Sequence, residues 1–279
     1  RDRLRSRGLG DVYKRQDYNK FYLYSIITHS TAIEGSTVTE IENQLLFDEG
    51  ISAKDRSMTE QLMNLDLKAA YEQSIAFAKS HSDITVEMLK KLSSVVLKNT
   101  GTTYQTALGE FSSANGDLHL LNVTAGTGGR SYMNYSKVLI KLSELCKNIN
   151  QRRKALSKAN IIECYKLSFD AHFHLVTIHP WADGNGRMAR LWHTAILAKW
   201  KPVFEFIPIE SQIEKFQDEY YDAIARCHVS GESTIFIEFM LSQIDRILED
   251  ISLQMNEENE QFSETVRKML EIMEYDTPY

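Results

Sequence analysis

Proline is scarce. Pro180, Pro202, Pro208 and Pro278 are the only four in 279 residues, and none precedes position 180. Nothing in the first 179 residues therefore forbids long helices. Cysteine is scarcer: Cys146, Cys164 and Cys227 are odd in number and far apart. They suit neither a disulfide framework nor a zinc site, and a reducing cytoplasm is the expected compartment. No apolar run approaches the ~18–20 residues of a membrane span, and the start lacks a basic-then-apolar signal pattern, so no membrane role is expected. What is present, 43% hydrophobic and 25% charged residues, is ordinary for a soluble globular protein. Disorder, collagen and a coiled-coil rod are excluded.

The net charge of -6 is unevenly spread. Residues 1–16 carry six basic side chains and two acids, so the remaining 263 residues carry -10. This opening segment lacks apolar periodicity and looks like translated adaptor sequence; we read it as non-native and outside the fold. A basic arm for nucleic acid is the functional alternative. The acidic body argues against a phosphate-tracking surface, so nucleic acid is not an expected partner.

Apolar residues recur at i, i+3 and i+4 over 17–31, 39–49, 55–80, 85–99, 137–152, 157–177, 187–200, 211–228 and 233–250, which predicts helices. Thr39 with Glu42 forms a capping-box pattern, Ser157 precedes a periodic run, and Gly101 and Gly231 stand where helices should stop. Six of the thirteen glycines fall between 101 and 129. There LHLLNVT (118–124), a turn-rich AGTGG (125–129) and RSYMNY (130–135) predict a β-hairpin. The expected architecture is all-α with one small hairpin. It divides into an N-terminal helical region (17–100), a core (101–250) and a tail (251–279) that is helical at first and then frays.

The chemistry is concentrated in His179-Pro180-Trp181-Ala182-Asp183-Gly184-Asn185-Gly186-Arg187-Met188-Ala189-Arg190. A periodic helix ends at Pro180, a Gly-Asn-Gly turn follows, and a second helix starts. Glycines admit close backbone approach, and the first N–H groups of the new helix lack internal partners, which makes an anion site. Arg187 and Arg190 share a helical face, and guanidinium groups match phosphate oxygens. Asp183 offers a hard oxygen ligand suited to Mg²⁺ already held by phosphates. His179 at the rim can serve as a neutral base. Together these describe phosphoryl or nucleotidyl transfer. A lone Gly-Asn-Gly or His-Pro would mean little, but seven fixed letters in one run far exceed a chance match.

The run resembles the Fic family motif, HPFx[D/E]GNGRxxR, with Trp181 in place of the usual Phe; the resemblance covers roughly residues 17–250. It implies a Fic-type helical domain whose hairpin near 117–133 is the flap that pairs with an extended target segment; a plain surface hairpin is the alternative. It also implies transfer of AMP from ATP to a Ser, Thr or Tyr hydroxyl of a target protein. His179 would take the hydroxyl proton, and Asp183 would hold Mg²⁺ between the α- and β-phosphates. Gly184, Asn185 and Gly186 would form the anion hole, Arg187 would steady the phosphates, and Arg190 would take the γ-phosphate. The stretch around Tyr220 and Tyr221 resembles the family's adenine-pocket segment, with His228 where Asn is usual, which leaves base identity open. Two tyrosines packing a helix would look the same. His172, His174 and His193 lack metal-ligand spacing and suit core or surface positions.

Ser30, Glu34 and Gly35 match the family's inhibitory pattern, [S/T]xxxE[G/N]. Independently of that match, Gly35 should end the first helix, leaving Glu34 in its last turn against the negative end of the helix dipole. A nearby cation would compensate such a carboxylate, and the resemblance names Arg190; an exposed Glu beside a C-cap glycine is the alternative. The implied protein is an auto-inhibited adenylyltransferase. A Fic relative using another substrate, enzymatic removal of AMP and a toxin–antitoxin-type binding component are the alternatives. A homo-oligomer stays open, because several family members hide the inhibitory helix by self-association.

Overall fold

The computed structural model describes residues 20–80, 82–124, 131–156 and 160–257. The adaptor-like segment 1–16, the hairpin turn 125–129, the cap at Ser157 and the tail beyond 257 lie outside them. The first helix, α1, spans 20–32 among the described residues. It is followed by α2 (Glu40–Glu49), α3 (Met58–Lys79) and α4 (Val86–Val96). The Thr39–Glu42 capping box is formed, and Ser57 with Glu60 makes a second one at the start of α3. After the glycine-rich stretch come α5 (Tyr135–Ala155), α6 (Ile161–Ile178), α7 (Asn185–Trp200), α8 (Ile209–Lys215), α9 (Gln217–Ser230) and α10 (Thr234–Glu257). The architecture is all-α with one small sheet.

Helix α7 is the centre of the domain. From Asn185 to Ala198 every residue except Gly186 is buried, as expected for a helix packed on all sides. On one side Met188, Leu191, Trp192 and Ile196 join a core built from α3, α4, α5 and α6. On the other, Leu197 joins Phe169, Phe173 and the inward faces of α8 to α10. Its N-terminus therefore opens where the two cores meet.

Two sequence expectations change. The regular hairpin is formed by β1 (Thr103–Thr106) and β2 (Gly109–Ser112), antiparallel, with Tyr104 opposite Phe111. Among the described residues, the arms expected near 118–124 and 130–135 are joined by an antiparallel bridge, Thr124 to Ser131, and by a bond from the Tyr132 N–H to the Val123 carbonyl at 2.9 Å. The stretch 211–228 is two helices. They break at Phe216, whose ring lies 3.9 Å below the Arg246 guanidinium. The break turns Gln217 so that its amide donates to the Ile33 carbonyl at 3.0 Å, just past the end of α1.

Candidate active site

Helix α6 ends on His179, which caps it with a left-handed backbone (φ 52°, ψ 59°). A non-glycine residue there stores about 1–3 kcal/mol of strain, a cost that concentrates at functional positions. Pro180 cannot donate a helical hydrogen bond, so the chain turns. The Trp181 side chain is fully buried and its indole N–H donates to the Gly116 carbonyl at 3.2 Å, which is how the larger ring is accommodated. Gly116 sits at φ +73°, and a Cβ there would lie 1.9 Å from the Lys90 carbonyl oxygen.

The loop closes on itself. The Asn185 side chain accepts from the Trp181 N–H at 3.1 Å and donates to the Trp181 carbonyl at 2.8 Å. Its amide is thus held as a loop clamp, with the backbone N–H at the first position of α7. Gly184 precedes α7 with a left-handed backbone, and no side chain caps the helix. Its first N–H groups carry the positive end of the dipole. Asp183 accepts from the Gly184 N–H at 2.6 Å and pairs with Arg187 at 3.3 Å, with 54% of its side chain exposed. Arg187 is 3% exposed, yet its Nε and Nη1 have no hydrogen-bond partner. Buried unpaired donors of a permanent cation point to an anionic ligand.

Arg190 is 1% exposed, and the end of α1 supplies three of its hydrogen bonds. Its Nε donates to the Ser30 hydroxyl at 2.9 Å, and its Nη2 donates to the Ser30 carbonyl at 2.9 Å and to Glu34 Oε1 at 2.6 Å. Gly35 follows with φ +94°. The same Glu34 oxygen lies against Gly186, where a Cβ would come within 2.6 Å of it. Burial opposes the Glu34 charge, but Arg190, with Arg187 behind it, more than offsets this and holds the carboxyl below its ordinary range. Helix α1 is moored elsewhere by a buried polar cluster: Thr31 donates to Asn64, and Asn43 donates to both Thr28 and Asn64.

The His179 ring is held neutral. Burial, then the neighbouring His119, lower the His179 pKa to about 4, against the opposing pull of the Val176 carbonyl, Asp183 and Glu34. His119 was not singled out from the sequence; a histidine inside the apolar run LHLL was its only signal. Its ring is 1% exposed, and its backbone N–H holds the Pro180 carbonyl at 3.1 Å. Tyr132, also unforeseen, stacks on the His179 ring with centroids 3.7 Å apart and planes 15° from parallel.

A cavity of ≈ 720 Å³ joins these parts. Glu34, His179, Asn185, Gly186, Arg190, Tyr220, Tyr221 and His228 all line it, whereas Ser30, Gly35, Asp183, Gly184 and Arg187 are not among its lining residues. Tyr221 is half exposed and presents a ring to the cavity. Tyr220 is 2% exposed, and its hydroxyl is tied to His172 at 2.9 Å, which in turn meets His193 at 2.9 Å. His174 instead faces Asp170 at the surface. Among the described residues no cluster of three or more His, Cys, Asp or Glu side chains could hold a metal. A lone exposed carboxylate such as Asp183 is still a sufficient protein share for Mg²⁺, which takes its remaining ligands from phosphates and water.

Residues 83–197 match the Fic/DOC family. The chain is 27% identical over 255 residues to the protein adenylyltransferase Fic of Nematostella vectensis, covering 89% of this chain and 53% of that protein. It therefore spans about half the length of that relative. A Fic family protein from Desulfovibrio desulfuricans G20 has a similar fold, with a TM-score of 0.69 at 22% identity over 88% of this chain and 68% of the other. A Fic domain containing signaling protein from Bacteroides thetaiotaomicron VPI-5482 matches with a TM-score of 0.72 at 18% identity, over 91% and 93%. No helix among the described residues is long and apolar enough to cross a membrane.

Proposed function

We propose, from the match of residues 83–197 to the Fic/DOC family, that the protein is an auto-inhibited protein adenylyltransferase. It moves AMP from ATP to a Ser, Thr or Tyr hydroxyl of a target protein. The observation that carries the reading is the Glu34 oxygen seated against Gly186 and bonded to Arg190. A carboxylate there occupies the place a phosphate oxygen would take at an uncapped helix N-terminus.

In the reaction, the target hydroxyl oxygen forms a bond to the α-phosphorus. The bond from that phosphorus to the bridging oxygen of the β-phosphate breaks, and pyrophosphate leaves. His179, neutral above about pH 4, accepts the hydroxyl proton. The N–H groups of Asn185 and Gly186 hold phosphate oxygens in a preformed field, and the charge of the buried Arg187 in the same turn of α7 steadies them. Arg190 receives the γ-phosphate once Glu34 has left. Asp183 would hold Mg²⁺, whose chemistry is to neutralise charge on the phosphates. Tyr221 and His228 flank the base; with His228 in the pocket, preference for adenine is part of what must be tested. With Glu34 paired to Arg190, ATP enters with its γ-phosphate displaced and its α-phosphorus out of line. The three buried free thiols suit a reducing, cytoplasmic setting.

A second reading, removal of AMP from a modified target, is favoured by the presence of Glu34 and His179 in one cavity, where the carboxylate can orient a water. One experiment separates the readings. Glu34→Gly protein is incubated with a candidate target and labelled ATP, GTP, UTP or CTP, and wild type with an AMP-modified target. Label transfer from ATP that vanishes in a Glu34→Gly, His179→Ala double variant while ATP binding persists is the expected result. Retained transfer in the double variant would sink the role of His179.

A further inference from the structure

We propose that Tyr132 is a positioning residue, clamping the His179 imidazole in the plane from which it takes the target's proton; this rests on the reading of His179 as the general base. The two rings are stacked, with centroids 3.7 Å apart and planes within 15°. The geometry matters because a base acts through an in-plane nitrogen. A partner on the ring face leaves that edge free, whereas a partner on the edge would block it.

His179 has little else to fix its ring. Its backbone is a left-handed helix end, and the Val176 carbonyl acts on the ring from one side. One such contact sets the tautomer but leaves the ring able to swing about that axis. The charged and titratable groups around it are Glu34 from α1, Asp183 from the loop and His119 from the segment before the arm. None of these stacks on it. Tyr132 does, and it comes from a separate element: the arm entering α5, held by the Tyr132 N–H to the Val123 carbonyl and by the Thr124 to Ser131 bridge. Ser131, Tyr132 and Met133 form one wall of the cavity, and Tyr221 acts on Tyr132 from α9. An arm that lines the cavity and also grips the base couples occupation of that wall to the base's orientation.

The test uses the full chain carrying Glu34→Gly, with Tyr132→Leu and Tyr132→Phe added separately. Tyr132→Leu should lower kcat about 10- to 100-fold, the loss expected when a reacting group drifts by about an ångström, with the KM for ATP unchanged. Tyr132→Phe keeps the ring and should recover most of the rate. Unchanged kcat in Tyr132→Leu, an equal loss in both variants, or a loss confined to KM would each overturn the proposal. A second readout does not need turnover. A stacked phenol shields the His179 ring protons, so their NMR resonances should lie upfield in the parent and in Tyr132→Phe and return downfield in Tyr132→Leu. Resonances that do not move would overturn the proposal even in an active enzyme. A parent with shifted resonances and no transfer activity would instead count against the adenylyltransferase reading.

Discussion

The Glu34 carboxylate meets the Arg190 guanidinium at 2.6 Å across 156 residues of chain, and the same nitrogen donates to the Ser30 carbonyl at 2.9 Å. A carboxylate at the end of α1 opposes the helix dipole, and the last carbonyls of any helix lack internal partners. One buried arginine answers both needs. Burial alone would disfavour its charge, but Glu34 raises its pKa on balance. The pair thus belongs to the packing of α1 on α7 as much as to the cavity.

Glu34→Gly should therefore act in two directions. Transfer should rise on the order of 10²-fold if the γ-phosphate regains its place beside Arg190. Stability should fall by about 1–3 kcal/mol, because a hydrogen bond to a charged group is lost and a buried cation loses its counter-charge. Initial rates of AMP incorporation and denaturant melts of the same preparation check both. A variant that is faster without being less stable would mean that Arg190 finds another partner in the free protein.

Asp183 separates fold from chemistry in a different way. Its side chain is 54% exposed, but one oxygen holds the Gly184 N–H at 2.6 Å. Asp183→Asn keeps that acceptor and removes the charge. Because Asp183 also pairs with the buried Arg187, the variant should lower the melting temperature slightly, the pair being half exposed on the Asp183 side, and raise the Mg²⁺ concentration needed for half-maximal transfer. An unaltered Mg²⁺ titration would place the protein's ligand elsewhere.

What was legible in the sequence follows from distance along the chain. His179, Gly186 and Arg190 stand together because twelve consecutive residues carry them, and a helix–turn–helix reading brings them to one point. The helices were legible through their period, whereas Phe216 fits the apolar pattern of 211–228 and so hid the break that Gln217 requires. The β1–β2 hairpin turns through Ala107 and Leu108, which carry no turn signature, while LHLLNVT looks strand-like yet, among the described residues, forms a single bridge. Tyr132, His119 and the Asn43–Asn64 cluster are meetings of distant segments, and no local pattern announces them. Glu34 lies between these cases: the dipole argument asks for a cation, and only the motif resemblance named it.

The buried chain from Tyr220 through His172 to His193 yields a stability prediction. All three side chains are at most 2% exposed, and the two imidazoles are stacked. Burial drives both histidine pKa values down, so the chain is one of neutral hydrogen bonds. Tyr220→Phe leaves His172 Nε2 without its partner and should cost about 1–3 kcal/mol. Urea unfolding should show a lower midpoint at an unchanged slope. A midpoint equal to the parent's would mean that water or another group replaces the hydroxyl.

Buried acids and bases give the fold opposing pH dependences. Burial first, with His119 for His179 and Arg190 for His193, holds their pKa values at about 4 and about 3, with His172 also well below normal. Unfolding restores all three to about 6.5. As pH falls from about 6.5 toward 4 the unfolded chain binds more protons than the folded one, and stability declines through that window. Glu210 runs the other way. It is 1% exposed, its Oε2 has no partner, and burial pushes its pKa up from 4.5 to about 7. Its contribution is complete below about pH 4.5 and is lost as pH rises through 7, where the folded protein must ionise a buried acid. Glu210→Gln imitates the neutral acid at every pH. Thermal melts should find it close to the parent at pH 5.5 and more stable than the parent at pH 8. A difference that stays constant between those values would show that Glu210 does not titrate in the folded protein, and the opposite ordering at pH 8 would show that its charge is stabilised by Arg190.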